Sequence, residues 1–165
     1  FTIWLQHVAM HRFQPLWKMH RVHHTDPGFD VTTALRFHPF EFLVSLVWKV
    51  LLVFALGASP ITVAVFVITL NCAAMFNHSN LAIPVSVDRW LRWIIVTPDM
   101  HRVHHSTDHA EANTNFGFCL PWWDHMFSTY TAAPEKGHLD MELGDKSWRD
   151  AKSQTPWALL RQPFD

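Results

Sequence analysis

Met19-His20-Arg21-Val22-His23-His24 recurs as Met100-His101-Arg102-Val103-His104-His105, followed by Thr25-Asp26 in the first copy and Ser106-Thr107-Asp108 in the second. Residues three and four apart are neighbours on a helix, so each copy is expected to project three imidazoles from one face. A third box, His7-xxx-His11, adds two more at i and i+4. Eight histidines in three helical boxes read as metal ligands, and as the catalytic candidates: His7, His11, His20, His23, His24, His101, His104 and His105. His78, in Asn77-His78-Ser79-Asn80, stands at the end of an apolar run and is expected as a ninth ligand. A lone buried histidine is usually a hydrogen-bonded core residue, and that reading is kept for His109, His125 and His138. His38, in Arg36-Phe37-His38-Pro39, reads as structural or as the support of a ligand.

The 165 residues are enough for one domain with a sizeable core. A formal net charge of −1 gives no electrostatic case for a nucleic-acid partner. Cys72 and Cys119 form no CxxC pair, which argues against a disulfide framework and a zinc finger. Thirteen histidines and nine tryptophans are the compositional anomalies. Phe1-Thr2-Ile3-Trp4-Leu5 reads as the end of an apolar helix already under way, and the chain as part of a longer one whose upstream part is missing.

Residues 1–13 and 15–24 read as two helices, with Pro15 tolerated in the first turn of the second. Thr25-Asp26-Pro27-Gly28 marks a turn. Phe40–Leu56 and Ile61–Phe76 are apolar runs joined by Gly57-Ala58-Ser59-Pro60, each a little under the ~20 residues of a spanning helix. A hairpin buried in a soluble core meets the same length criterion, but charge favours the membrane. The connecting loop carries none, whereas the far ends carry Arg12, Lys18, Arg21, Arg36, Arg89, Arg92 and Arg102, a pattern that puts the histidines on the cytoplasmic side. Lys49, inside the first run, is expected to snorkel or to sit against another helix. Two passes return the chain to the side it left, so the repeated boxes can converge. Residues 85–96 are amphipathic and suit either an interfacial helix or a core-facing one. Thr97-Pro98-Asp99 is a helix start with an N-cap hydroxyl. The aromatic stretch Asn115–Tyr130 reads as a cap on the helices, and the tail from Ala132 holds one short helix near Ser147–Lys152.

One metal takes three or four imidazoles, so eight or nine serve two ions. Acidic groups are needed to orient the rings and offset the charge; Asp26, Asp99, Asp108, Asp124, Glu41 and Glu111 are the candidates. A zinc hydrolase would carry an acid beside its box as in HExxH, and none occurs. A metal transporter would line its spans with ligands, yet residues 40–76 contain no histidine. A membrane metal- or haem-binding electron-transfer protein is the remaining alternative.

The HxxxH, HxxHH and HxxHH boxes, in this order around an apolar hairpin, resemble the fatty acid hydroxylase/sterol desaturase superfamily. Thr33-Ala34-Leu35-Arg36-Phe37-His38-Pro39-Phe40-Glu41 is similar to the segment after the second box in the sterol desaturase branch. Thr97–His101 and Asn115-Phe116-Gly117, Trp123-Asp124, Phe127 and Thr129-Tyr130 resemble its third box and the motif behind it. Ser128 stands where that motif usually has glycine. The resemblance implies an all-α fold, with upstream membrane helices missing from this chain: a membrane-embedded hairpin at about 40–76 with a cytoplasmic histidine-rich helical cap, 7–30 and 77–131, in a domain of 1–131 followed by a tail of 132–165. It implies an integral membrane enzyme with two iron ions, replaceable by zinc during purification, that uses O2 to hydroxylate or desaturate a lipid of sterol or fatty-acyl type. Without a dinucleotide fingerprint or a haem-attachment motif, the electrons are expected from a separate reductase or carrier.

Overall fold

The computed structural model describes all 165 residues. The chain is helical throughout, with one isolated bridge between Ser106 and Leu143. Helices α1 (Thr2–Arg12) and α2 (Gln14–His24) are separated by a single extended residue, Phe13. Pro15 lies in the first turn of α2, where its missing N–H costs no hydrogen bond. The break folds the two helices against each other and brings the faces of the first two boxes together.

Asp30 then caps a 3-10 turn at Val31–Leu35, with Thr33 closing the reciprocal bond. His38 caps the next helix by accepting from Phe40 N, and Pro39 occupies its first position. Helices α3 (Pro39–Leu56) and α4 (Pro60–Asn77) are the two apolar runs. Gly57 ends α3 in the left-handed region at φ 61°, and Ser59 caps α4. At 18 residues each, they are about 27 Å long, close to the hydrocarbon thickness. Only 6 % and 11 % of their residues are buried, so the hairpin is not packed inside a core of this chain. Phe42, Leu46, Val47, Leu51, Phe54, Ile61 and Ile68 face outward, as lipid contact requires. Beyond the turn that joins them, the two legs scarcely approach one another.

The cap is a set of short helices: α5 (Val85–Leu91), α6 (Pro98–His104), α7 (His109–Ala112) and α8 (Trp122–Met126). The amphipathic stretch expected at 85–96 stops being helical at Leu91. Val96 is instead drawn into the core, where its N–H donates to Cys119 O, while Trp90, Trp93 and Ile94 remain exposed. Helix α6 starts where expected, but the Thr97 hydroxyl makes no capping bond; it is buried without a partner.

Asp124 organises the aromatic segment. Its carboxylate accepts from Trp4 Nε1 at 2.9 Å, Phe116 N at 2.9 Å, Gly117 N at 2.8 Å and Thr129 Oγ1 at 2.7 Å. A Cβ on Gly117 would lie 2.8 Å from Asp124 Oδ2 and from Leu120 O, so that position has room for glycine alone. Ser128 is held at φ 56°, the left-handed region that explains a preference for glycine there.

The tail holds more helix than the one short segment expected: a 3-10 turn at Lys146–Trp148 overlaps the start of that segment, and further turns of helix lie at Gly137–Asp140, at Pro156–Arg161, capped by Thr155, and at Gln162–Phe164. Residues 147–152 lack the strong start signal that Thr155-Pro156 supplies. The tail packs on the box-bearing helices. Arg21 donates to Gln162 O at 2.6 Å, Arg36 to Gln154 Oε1 at 2.5 Å, and Gln162 is fully buried.

Replacing Asp124 by Ala strands three buried donors at once. Thermal unfolding in detergent is expected to show a loss of about 3 kcal/mol or more. A loss below about 1 kcal/mol would mean that water replaces the carboxylate.

Candidate metal centre

The eight histidines singled out by spacing and His78, singled out by its place at the end of an apolar run, all meet, and they meet as two groups. His7, His11, His20, His24 and His104 bring ring nitrogens within 4.8 Å of one another, and so do His23, His78, His101 and His105. The groups adjoin: the His24 and His105 rings stack with centroids 4.5 Å apart. The expectation that each repeated box aims three imidazoles one way is corrected. Residues i+3 and i+4 leave a helix about 100° apart, so one box can serve two neighbouring points. The i, i+4 pair His20 and His24 joins the first group while His23 turns to the second; His101 and His105 join the second while His104 turns to the first.

The protons on these rings are fixed by what lies behind them. A carbonyl oxygen only accepts, so an Nδ1 facing one carries the hydrogen. His7 Nδ1 donates to Phe116 O at 2.8 Å, His23 to Thr33 O at 3.1 Å, His78 to Ala74 O at 2.7 Å and His104 to Thr114 O at 2.7 Å. His20 Nδ1 lies 2.6 Å from Glu41 Oε1. Each of these rings therefore presents a bare Nε2 lone pair to the interior. The Nε2 atoms of His7 and His20 are 3.1 Å apart, and those of His23 and His78 are also 3.1 Å apart. Two lone pairs at that distance repel, and neither can donate to the other. A cation between them turns the repulsion into ligation.

Burial sharpens the point. Eight of the nine are buried, and His11 is half-buried. Loss of hydration, with repulsion from neighbouring imidazoles second, pushes His7, His11, His23, His24, His101 and His105 well below the ordinary imidazole range. Burial likewise takes His78 down to about 4 and His104 down to about 3, against the opposing pull of their backbone bonds. The rings are thus neutral and ready to bind metal at physiological pH. His104 Nε2 and both ring nitrogens of His105 are buried with no protein partner. Adjacent nitrogens each ~2.1 Å from one ion lie about 3.0 Å apart, and both groups contain Nε2 pairs at 3.1 Å. The donor set fits metal in each.

Of the six acids considered as supports, Glu41 alone touches a boxed histidine. Two others act one step further back: Asp124 fixes Phe116, whose carbonyl holds His7, and Asp26 accepts from Thr33 Oγ1, the residue whose carbonyl holds His23. Asp99 pairs with Arg102, Asp108 caps α7, and Glu111 accepts from Glu135 N. His38 caps α3 and bonds Leu160 O, while His125 stacks on Trp93 and Tyr130. His109 and His138 join neither group. Sequence patterns missed the four supporting carbonyls, since every residue carries one and no residue type marks them.

Two openings reach the histidines. An apolar cavity of about 650 Å³ extends from His7, His20 and Glu41 between α1, α3 and α4. A smaller, polar cleft of about 240 Å³ reaches His11 and His24 past Trp17, Asn113 and the tail residues Gly144 and Asp145.

The family profile for fatty acid hydroxylases matches residues 1–129, and the chain belongs to that family. An ornithine lipid hydroxylase, OlsE, from Rhizobium tropici is 28 % identical over 99 % of this chain and 47 % of its own length. An alkylglycerol monooxygenase from Xenopus tropicalis is 30 % identical over 81 % of the chain and 28 % of its own length. A cholesterol 25-hydroxylase from Rattus norvegicus is 26 % identical over 92 % of the chain and 50 % of its own length. The chain therefore spans half or less of these curated relatives. No solved structure matches it.

Acid is expected to destabilise the metal-free protein. These imidazoles titrate lower in the fold than in an unfolded chain, so below pH ~6.5 the unfolded state binds more protons. Stability is full above that value and falls as the pH drops towards the folded-state values, about 4 for His78 and about 3 for His104. A melting temperature that stays flat from pH 7 to pH 4.5 would contradict the burial of neutral rings.

Proposed function

We propose that the chain is the metal-binding body of a membrane-bound, O2-dependent lipid hydroxylase or desaturase with two iron ions. His7, His11, His20, His24 and His104 would hold one ion, and His23, His78, His101 and His105 the other. The observation that carries this reading is the pair of facing, bare Nε2 atoms in each group, fixed from behind by carbonyls and by Glu41. When bound, the iron pair supplies O2 activation and the oxidising power to break an unactivated C–H bond.

The chain's own residues do the rest. Glu41 and the carbonyls of Phe116, Thr33, Ala74 and Thr114 keep the five supported rings in the Nδ1–H tautomer and in fixed orientation. Phe29 and Phe116, both buried against the histidines, exclude water from the two groups. The apolar cavity lets a hydrocarbon approach His7 and His20 from the side of the hairpin. The polar cleft at His11 and His24 gives a separate path for protons and water. The three relatives named above carry lipid hydroxylases and monooxygenases in their names, which supports a lipid as substrate. The uncharged turn at Gly57–Pro60 and the arginines at the opposite end support a cytoplasmic position for the histidines. The cavity favours an oxygenase over an electron-transfer protein, which needs no room for a substrate beside its metals. Electrons would come from a separate donor.

Two metal ions per chain are expected by elemental analysis, whatever the ions, since all-nitrogen sites also take zinc and copper. A stoichiometry of one or none contradicts the reading. In a lipidome of cells expressing the protein, His104→Ala is expected to abolish the O2-dependent product and His138→Ala to retain it. Equal activity in both would contradict the assignment.

A further inference from the structure

The wall of the large cavity carries one charge that the metal centre does not use. Glu41, Ser45 and Lys49 lie at i, i+4 and i+8 of α3 and all line it. Glu41 holds His20 at one end. Lys49 is eight residues, or about 12 Å, further along the helix, near the middle of the membrane-spanning run. Its side chain makes no hydrogen bond or ion pair with the protein, and neither does that of Ser45. On the facing leg Asn71 also lines the cavity and spends its side-chain N–H on Val67 O, leaving its oxygen uncommitted. An ammonium group has three donors and no acceptor, and hydrocarbon offers it nothing. An intramembrane charge facing a cavity marks a ligand path.

We infer that Lys49, with Ser45 beside it, binds the anionic head of an amphiphilic substrate, a carboxylate or a phosphate ester, whose hydrocarbon part runs about 12 Å to the histidine groups. The cavity is polarised to orient such a molecule. The Glu41 carboxylate repels an anion at the histidine end, and the ammonium attracts it at the other. The apolar lining of Ile3, Leu43 and Leu70 suits the chain between. Lys49 is thus a specificity residue that selects where along the lipid the oxidised carbon falls. This deepens the lipid-oxygenase reading and rests on it for the identity of the occupant as substrate.

The test is equilibrium binding to the metal-loaded, full-length protein in nanodiscs, without O2 so that nothing turns over. The probes are hexadecanoate, hexadecyl phosphate and methyl hexadecanoate. Wild type is expected to prefer the anions to the ester, and Lys49→Met to weaken them by about tenfold or more, the value of one charge-assisted hydrogen bond. The ester should change by less than about twofold, and Lys49→Arg should keep the preference. The anion that suffers more from Lys49→Met identifies the head group. Equal weakening of all three probes, or of none, would overturn the inference. Metal content equal to wild type shows that the variant is folded; if it is not, the wild-type preference between hexadecanoate and its ester decides alone. Should the protein bind anions through Lys49 yet make no O2-dependent product, the oxygenase reading falls and the lysine site stands.

Discussion

Nine imidazoles packed into a water-poor interior cannot all satisfy one another. Five of them give their only hydrogen to a carbonyl or carboxylate behind the ring, so their remaining nitrogens face inward as acceptors, and the His7–His20 and His23–His78 pairs set acceptor against acceptor. An arrangement of this kind is costly without a cation, because each buried lone pair loses its water and gains nothing. Much of the surrounding structure follows from it. The one-residue break at Phe13 folds α1 onto α2, the carbonyls of Phe116 and Thr33 are held in place by Asp124 and Asp26, and the tail straps α2 through Arg21 and Arg36.

The hairpin and the cap answer to different solvents. Helices α3 and α4 are apolar and largely exposed, a surface that lipid covers. The histidine groups sit where α3 begins and α4 ends, since Glu41 lies in the first turn of one and His78 caps the other. That position gives the centre an apolar mouth on one side and a polar one on the other. In the proposed reaction a C–H bond would arrive through the first while protons and water would use the second.

The repeated hexapeptides and the HxxxH box carried the centre in the sequence, because helical spacing alone brings such side chains together. The hairpin limits were legible to within a residue from Pro39, Gly57, Ser59 and Pro60. The partition of each box between two groups was not. It depends on the 100° between i+3 and i+4 and on which neighbour each direction meets, and only tertiary packing decides that. The identity of the supports was equally hidden. Six acids were within reach of the motifs, but contact with a ring went to Glu41, whose place is set by the angle at which α3 leaves the cap. Lys49 read as an anomaly in an apolar run, and its cavity exists only once α1 and α4 stand beside α3.

The most direct measurement is X-ray absorption at the metal edge of the loaded protein. The account predicts a first shell of nitrogen alone at about 2.1 Å, with the outer-shell scattering of four to five imidazoles per ion. A shell containing sulfur, or one dominated by oxygen with the scattering of a single imidazole, would contradict it.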